Sequence, residues 1–135
     1  MMTNSGAPDV AAARPRAIVA GHGSFAAGII SAVDQITGLG HLFIPVTNAG
    51  KGAADIDAMV RESLAASGAT VIFTDLPAGS CTMAVRRLSR LEPGITLVTG
   101  ATLPMLLAFA LGADVHEAVA KAREAIVVME SDRGA

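Results

Sequence analysis

Short runs of apolar, often β-branched residues alternate along this chain with longer Ala- and Leu-rich segments of helical periodicity. This alternation is typical of repeated βα units, in which helices cover a largely parallel sheet on both faces. The apolar runs predict four strands, at residues 17–20, 41–46, 70–75 and 95–99. The predicted fold class is therefore α/β, with three layers built around a mainly parallel four-stranded sheet.

Five helices are predicted between and after these strands. Ser24 can cap the first helix, Gly38 can end it, and Ser80 can cap the third. The predicted inward face of the first helix consists of Phe25, Ile29, Val33 and Ile36. The other helices are predicted at residues 53–66, 80–91 and 102–111, and from residue 114 onward.

The last helix has the clearest start and the least clear end. Asp114, with Glu117 three residues later, forms a capping-box pair. Residues 127–129 are rich in β-branched and apolar side chains, so they fit either the end of this helix or an extra C-terminal strand. The sequence thus allows a fifth, antiparallel strand at the C-terminus.

The composition predicts one domain. The chain has 135 residues, 52% of them hydrophobic, which is enough for one core but hardly for two. We expect residues 16–135 to form this domain and residues 1–15, which are mostly small and polar, to be a disordered extension. Cys81 is the only cysteine, and neither a signal-peptide pattern nor an apolar run of ~20 residues occurs, so a cytoplasmic location is expected.

Charge and aromatic content argue against nucleic-acid binding. The formal net charge is -2 and only 3% of the residues are aromatic, whereas nucleic acids need a positive surface and often stacking platforms. The three histidines and the single cysteine have no metal-ligand spacing. The sequence therefore predicts no nucleic-acid partner, no metal and no bound cofactor.

Two strand-to-helix turns contain candidate chemistry, because reactive groups of parallel sheets lie beyond the carboxyl ends of the strands. His22 stands between two glycines in GHGSFAAG, and Asp75 begins DLPAGS after the third strand. If the first and third strands are neighbours, Asp75 can accept the Nδ1 proton of His22 and leave Nε2 as a nucleophile. Taken singly, His22 is equally well explained as a structural turn residue, and Asp75 as a helix-capping or turn residue.

A phosphoryl group on His22 would lie close to two helix starts, whose free N–H groups favour an anion. The candidate phosphate-binding residues are Gly23, Ser24, Gly79, Ser80 and Thr82. For the serines, ordinary helix capping is at least as good an explanation.

The remaining reactive side chains are weaker candidates. His41 is expected to begin a strand and His116 to lie in the first turn of a helix, both exposed to solvent without a role. Cys81 lies at a helix start, which can lower the pKa of its thiol, although a buried or incidental cysteine is the stronger interpretation.

Three ordered segments resemble one family: AIVAGHGSFAAGIISAV, VIFTDLPAGSCTMAV and VTGATLPMLLAFAL. They are similar to the IIA domains of the mannose-type branch of the bacterial phosphoenolpyruvate:sugar phosphotransferase system, over nearly the whole chain from Arg16 to about Glu130. The GHGSFAAG start most resembles the N-acetylgalactosamine and related amino-sugar members.

The resemblance implies a function for this chain. His22 would accept a phosphoryl group from the histidine-containing phosphocarrier protein and pass it to a IIB subunit, which serves the membrane components IIC and IID. Asp75 would hydrogen-bond this histidine. The family fold also implies a homodimer, in which a C-terminal strand can cross between subunits.

The chain departs from the family pattern at the Asp75 turn. Ala78 and Cys81 replace a glycine and a proline, and Thr102 replaces an asparagine before the Leu103–Pro104 pair. Two alternatives stay open. One is the phosphotransfer component that serves dihydroxyacetone kinase, although GHG and the Asp75 turn argue against it. The other is a regulatory or anion-sensing module of the same fold.

Overall fold

Four parallel strands form the sheet of the computed structural model, which describes residues 15–132. The strands are β1 (Ala17–Gly21), β2 (Phe43–Thr47), β3 (Val71–Thr74) and β4 (Thr96–Val98). Their order across the sheet is β2-β1-β3-β4, and every neighbouring pair is parallel. Except for Pro15, the predicted disordered extension lies outside the described residues.

Within residues 15–132, five α-helices cover the sheet on both faces. They are α1 (Phe25–Thr37), α2 (Ala53–Ser67), α3 (Ser80–Ser89), α4 (Leu103–Ala110) and α5 (Val115–Glu124). Alternate residues of β1 face opposite sides, as the two-residue period of a strand requires. Ala17 and Val19 pack with α1, α4 and α5, while Ile18 and Ala20 pack with α2 and α3. The predicted three-layer α/β fold is confirmed.

The central strand β1 is buried along its whole length. Beside it, an aromatic cluster fills one layer of the core. The ring centroids of Phe73 and Phe109 lie 5.1 Å apart in an edge-to-face arrangement, and those of Phe73 and Phe43 lie 6.4 Å apart. The centre of the sheet is thus closely packed, so β1 and β3 hold the first residues of the segments that follow them in place.

Helix capping agrees with the sequence at the start of α5 and departs from it at the start of α3. Asp114 and Glu117 form the predicted capping box, and the Thr102 hydroxyl accepts a hydrogen bond from the N–H of Met105 at the start of α4. Ser80 was expected to cap α3, but Gly79 occupies that position and Ser80 is the first helical residue. The hydroxyl of Ser80 is therefore available for a contact outside its own helix.

Two predictions about α1 and β2 were wrong. Ile36 is 60% exposed, because the buried stripe of α1 runs through Ala26, Ile29, Ile30 and Val33 and places Ile36 off that face. His41 does not begin a strand. It lies half-buried in a short 3₁₀ turn, Gly40–Leu42, where the N–H of Gly40 donates to Asp34 Oδ1 before β2 starts.

The end of α5 matches neither alternative for residues 127–129. The helix stops at Glu124, and residues 126–132 form neither helix nor strand. The apolar side chains from Ile126 to Met129 are between 59% and 89% exposed. Within residues 15–132 no fifth strand joins the sheet, so this apolar segment has no cover within the described part of the chain.

Candidate functional site

The sheet order brings the two predicted site turns together. β1 pairs directly with β3, with Ala20 opposite Thr74. The strands are parallel, so the residues after their carboxyl ends emerge at the same edge of the sheet. His22 and Asp75 are therefore neighbours, as the sequence predicted for adjacent strands.

The Asp75 carboxylate holds His22 at two points. Its Oδ2 atom accepts the backbone N–H of His22 at 2.9 Å and lies 2.8 Å from Nδ1 of the same residue. The imidazole is half exposed, whereas only 12% of the Asp75 side chain is accessible. With Nδ1–H donating to this carboxylate, the neutral ring carries its free lone pair on Nε2.

Asp75 remains charged at neutral pH. Burial raises the pKa of its carboxyl, but the hydrogen bonds from the backbone and ring of His22 outweigh that effect and hold the pKa below its ordinary value of 3.8. The histidine is therefore oriented by an ionised acceptor, which fixes the tautomer of the ring.

Glycines make room for this pair. A Cβ atom on Gly21 would stand 2.8 Å from Asp75 Oδ2, and one on Gly79 would stand 3.0 Å from Cε1 of His22. Gly23 adopts φ +52, a left-handed conformation that glycine tolerates best. The three glycines thus let the two loops close around the imidazole.

Helix starts lie on both sides of His22. The N–H of Phe25 donates to the His22 carbonyl at 3.0 Å, and Ser24 occupies the N-cap position of α1 without a capping bond from its side chain. Across the site, α3 starts at Ser80 directly after Gly79. Free N–H groups in the first turn of a helix favour an anion nearby.

Thr82 has a different position from the other predicted phosphate-binding residues. Its side chain is buried, with 1% of the residue exposed, and its hydroxyl is within hydrogen-bond distance of Thr74 Oγ1 (2.6 Å) and of the Leu76 carbonyl oxygen. These two partners flank Asp75 in the sequence. The Thr82 hydroxyl therefore supports the turn that carries Asp75, and it does not face solvent.

The loop after β2 is a third part of the site, which the sequence analysis missed. The Thr47 hydroxyl donates to the Gly23 carbonyl at 2.7 Å, and the side-chain amide of Asn48 donates from Nδ2 to Ser80 Oγ at 2.7 Å. The available signal was the polar Thr-Asn pair directly after a predicted strand. Because β2 is the other neighbour of β1, this pair emerges at the same edge of the sheet.

Cys81 is fully buried beneath the site, with Sγ 4.0 Å from the Gly21 carbonyl oxygen. Burial, and then the negative charge of Asp75, raise the pKa of its thiol to about 11. The alternative of a lowered pKa is wrong, and the predicted burial of Cys81 is confirmed. His116 is exposed in the first turn of α5, as expected.

Two features are absent from the part of the chain that the structure describes. In residues 15–132, no group of three or more His, Cys, Asp and Glu side chains is arranged to hold a metal ion. No helix in this range combines the length and the apolar character needed to cross a bilayer.

Comparison with known families gives a match over most of the chain. A family model described as "PTS system fructose IIA component" matches residues 16–127, where PTS denotes the sugar phosphotransferase system. A comparison with curated protein sequences gives no significant match.

Solved structures resemble the chain over nearly its whole length. A mannose/sorbose-specific IIA subunit from Enterococcus faecalis superimposes with a TM-score of 0.74 at 18% identity, covering 90% of this chain and 98% of that one. A phosphotransferase component EIIA from Streptococcus agalactiae gives 0.73 at 24% identity, covering 84% and 95%. A Klebsiella pneumoniae protein, provisionally assigned as a phosphoenolpyruvate-dependent sugar phosphotransferase permease, gives 0.67 at 30% identity, covering 85% and 90%.

Proposed function

The chain belongs to the PTS system fructose IIA component family, and we propose that it carries phosphoryl groups for sugar uptake on Nε2 of His22. The observation that carries this proposal is the 2.8 Å contact between His22 Nδ1 and Asp75 Oδ2. This contact occupies one ring nitrogen of the half-exposed imidazole and leaves the other without a role in orienting the ring.

The proposed reaction is a transfer between two histidines. The Nε2 lone pair of neutral His22 attacks the phosphorus of a phosphohistidine on the phosphocarrier protein. A new N–P bond forms, the N–P bond to the donor breaks, and its electron pair stays on the donor imidazole. The phosphorylated ring keeps its Nδ1 proton and becomes cationic, so the ionised Asp75 stabilises it until a IIB subunit removes the phosphoryl group.

The proposed phosphate site uses the polar groups around Nε2. Gly79 and Ser80 supply the start of α3, whose dipole favours the incoming dianion, and Gly23 and Ser24 do the same at the start of α1. The hydroxyls of Ser24 and Ser80 add further donors. The role proposed for Thr82 is to hold the Asp75 turn through its buried hydroxyl.

The proposed partners follow from the family. They are the histidine-containing phosphocarrier protein as donor and a IIB subunit as acceptor, both in the cytoplasm, with the membrane components IIC and IID reached only through IIB. We further propose a homodimer, supported by the exposed apolar residues 126–129. The GHGSFAAG start favours an amino sugar of the N-acetylgalactosamine class as the transported substrate.

A phosphorylation assay tests the proposal. Incubation with phosphoenolpyruvate, the general phosphotransferase enzyme and the phosphocarrier protein should add one acid-labile phosphoryl group to the chain. The label should disappear in His22→Ala and persist in His116→Ala, which removes an exposed histidine far along the sequence from the site. Label retained in His22→Ala would contradict the assignment.

A chase separates this function from its alternatives. Addition of a IIB subunit should discharge the labelled chain within the same assay. A chain that accepts the label but never discharges to any IIB subunit would instead be a regulatory module, and one that discharges only to dihydroxyacetone kinase would be the phosphotransfer component of that enzyme.

A further inference from the structure

The loop after β2 contacts both halves of the site, and the side chain of Asn48 joins it to the start of α3. Asn48 donates from Nδ2 to Ser80 Oγ at 2.7 Å. Resting on the proposed function, we infer that Asn48 is a positioning residue: it orients the Ser80 hydroxyl so that this hydroxyl donates its proton to the phosphoryl group on His22.

The inference follows from the hydrogen-bonding capacity of a hydroxyl. Serine has one O–H proton and two acceptor lone pairs, whereas an amide nitrogen donates only. The bond from Asn48 therefore uses a lone pair of Ser80 and leaves its proton for another acceptor. A phosphoryl dianion offers only acceptor oxygens, so it is the complementary partner for that proton.

The position of Ser80 suits this donor role. It is the exposed first residue of α3, and it follows Gly79, whose missing side chain leaves room for Cε1 of His22. Cε1 is bonded to both ring nitrogens, and Nδ1 faces Asp75, so Nε2 is the free nitrogen beside Cε1. A phosphoryl group on Nε2 would thus lie on the side of the ring that adjoins the start of α3.

Asn48 is itself held firmly against the His22 loop. Its backbone N–H donates to the Gly21 carbonyl at 3.1 Å, which extends the β1–β2 pairing one residue beyond the strand. The preceding Thr47 donates to the Gly23 carbonyl and accepts the N–H of Ala49 at 3.1 Å. The amide that orients Ser80 is therefore fixed relative to His22 and not to α3 alone.

A double-mutant cycle on the full chain tests the inference without any partner protein. The chain is phosphorylated chemically with potassium phosphoramidate, and the rate of phosphohistidine formation and its ³¹P chemical shift are followed by NMR. Ser80→Ala and Asn48→Ala should each slow phosphorylation of His22 by about tenfold, the usual effect of losing one hydrogen bond to a charged group. The double variant should be no slower than Ser80→Ala, and all three should share one altered ³¹P shift.

Two further variants distinguish orientation from simple support of the loop. Asn48→Asp keeps the shape but supplies only acceptors, so it should draw the Ser80 proton away and slow phosphorylation more than Asn48→Ala. Ser89→Ala is the matched control, because this hydroxyl bonds to the Arg86 carbonyl within α3 and should leave the rate unchanged. Melting temperatures measured alongside identify any variant that fails to fold.

The outcomes separate this inference from the proposed function. If the losses in Asn48→Ala and Ser80→Ala multiply in the double variant, or if Asn48→Ala reacts like the wild type, the inference is overturned. A chain that is phosphorylated at His22 by phosphoramidate but not by the phosphocarrier protein would refute the proposed function, and the cycle would still decide the role of Asn48. Absence of phosphorylation at His22 from both donors would overturn both.

Discussion

Gly79 and the imidazole of His22 approach so closely that a Cβ atom on Gly79 would stand 3.0 Å from Cε1 of the ring. The backbone of Gly79, at φ -73 and ψ 170, is one that any residue can adopt. The need for glycine at this position therefore comes from the neighbouring histidine and not from the chain conformation.

Gly79→Ala should keep the fold and displace the imidazole by a few tenths of an ångström. Phosphotransfer depends on the alignment of Nε2 with the incoming phosphorus, so we expect the transfer rate to fall by about 10- to 100-fold. Gly28→Ala is the matched control, since a Cβ there meets nothing within 4 Å and the helix gains a better helix former. Rapid-quench kinetics of both variants give the comparison, and equal rates would contradict the steric argument.

Asp75→Asn should fold but transfer phosphoryl groups slowly. The amide can no longer hold the Nδ1–H tautomer with a full charge, and loss of an orienting carboxylate lowers rates by up to about 10⁴ in related arrangements. Nitrogen-resolved NMR of the phosphorylated wild type should find phosphorus on Nε2. Phosphorus on Nδ1, or wild-type rates in the variant, would make Asp75 a structural turn residue.

The charge of Asp75 should also appear in the pH dependence of stability. Its pKa in the folded chain is held below 3.8, so its contribution to stability is present above that value and is lost as the pH falls through the folded pKa. The difference in free energy of unfolding between wild type and Asp75→Asn should therefore shrink as the pH falls through the folded pKa of Asp75. A difference that instead grows toward low pH would contradict this sign.

Cys81 should resist alkylation in the folded chain. Its thiol is buried and has a pKa raised from 9.0 to about 11, so the thiolate fraction near neutral pH is about 100-fold lower than for an unperturbed thiol. Iodoacetamide at pH 8 should thus react at least about 100-fold more slowly with the folded chain than with the urea-unfolded chain. Mass spectrometry measures both rates, and rapid labelling of the folded form would show that the site opens.

Removal of residues 127–135 should weaken the proposed homodimer. Apolar side chains with large exposed fractions favour association, and the segment begins three positions beyond the end of α5 at Glu124. Light scattering at micromolar concentration should give a dimer for the full chain and a monomer for the truncated one. A monomeric full chain would refute the dimer, and an unchanged dimer after truncation would place its interface elsewhere.

Local patterns in the sequence were sufficient for the fold class and for the first two site residues. Strands such as β1 are continuous apolar runs because both faces of a parallel sheet are covered, and the capping box at Asp114 and Glu117 is a short-range signal. His22 and Asp75 could be predicted from the sequence for the same reason, since each directly follows a recognisable strand. These signals come from residues that are close together in the sequence, so they can be recognised without the tertiary structure.

Contacts between distant segments were decided only by the tertiary structure. The Asn48–Ser80 hydrogen bond joins residues 32 positions apart, and the buried position of Thr82 depends on how α3 packs against β3. The exposure of Ile36 and the half-buried position of His41 likewise depend on the path of the chain between α1 and β2. The sequence around a hydroxyl or amide side chain looks the same whether that side chain caps a helix or bridges two loops. Only the packing of the elements decides between these roles.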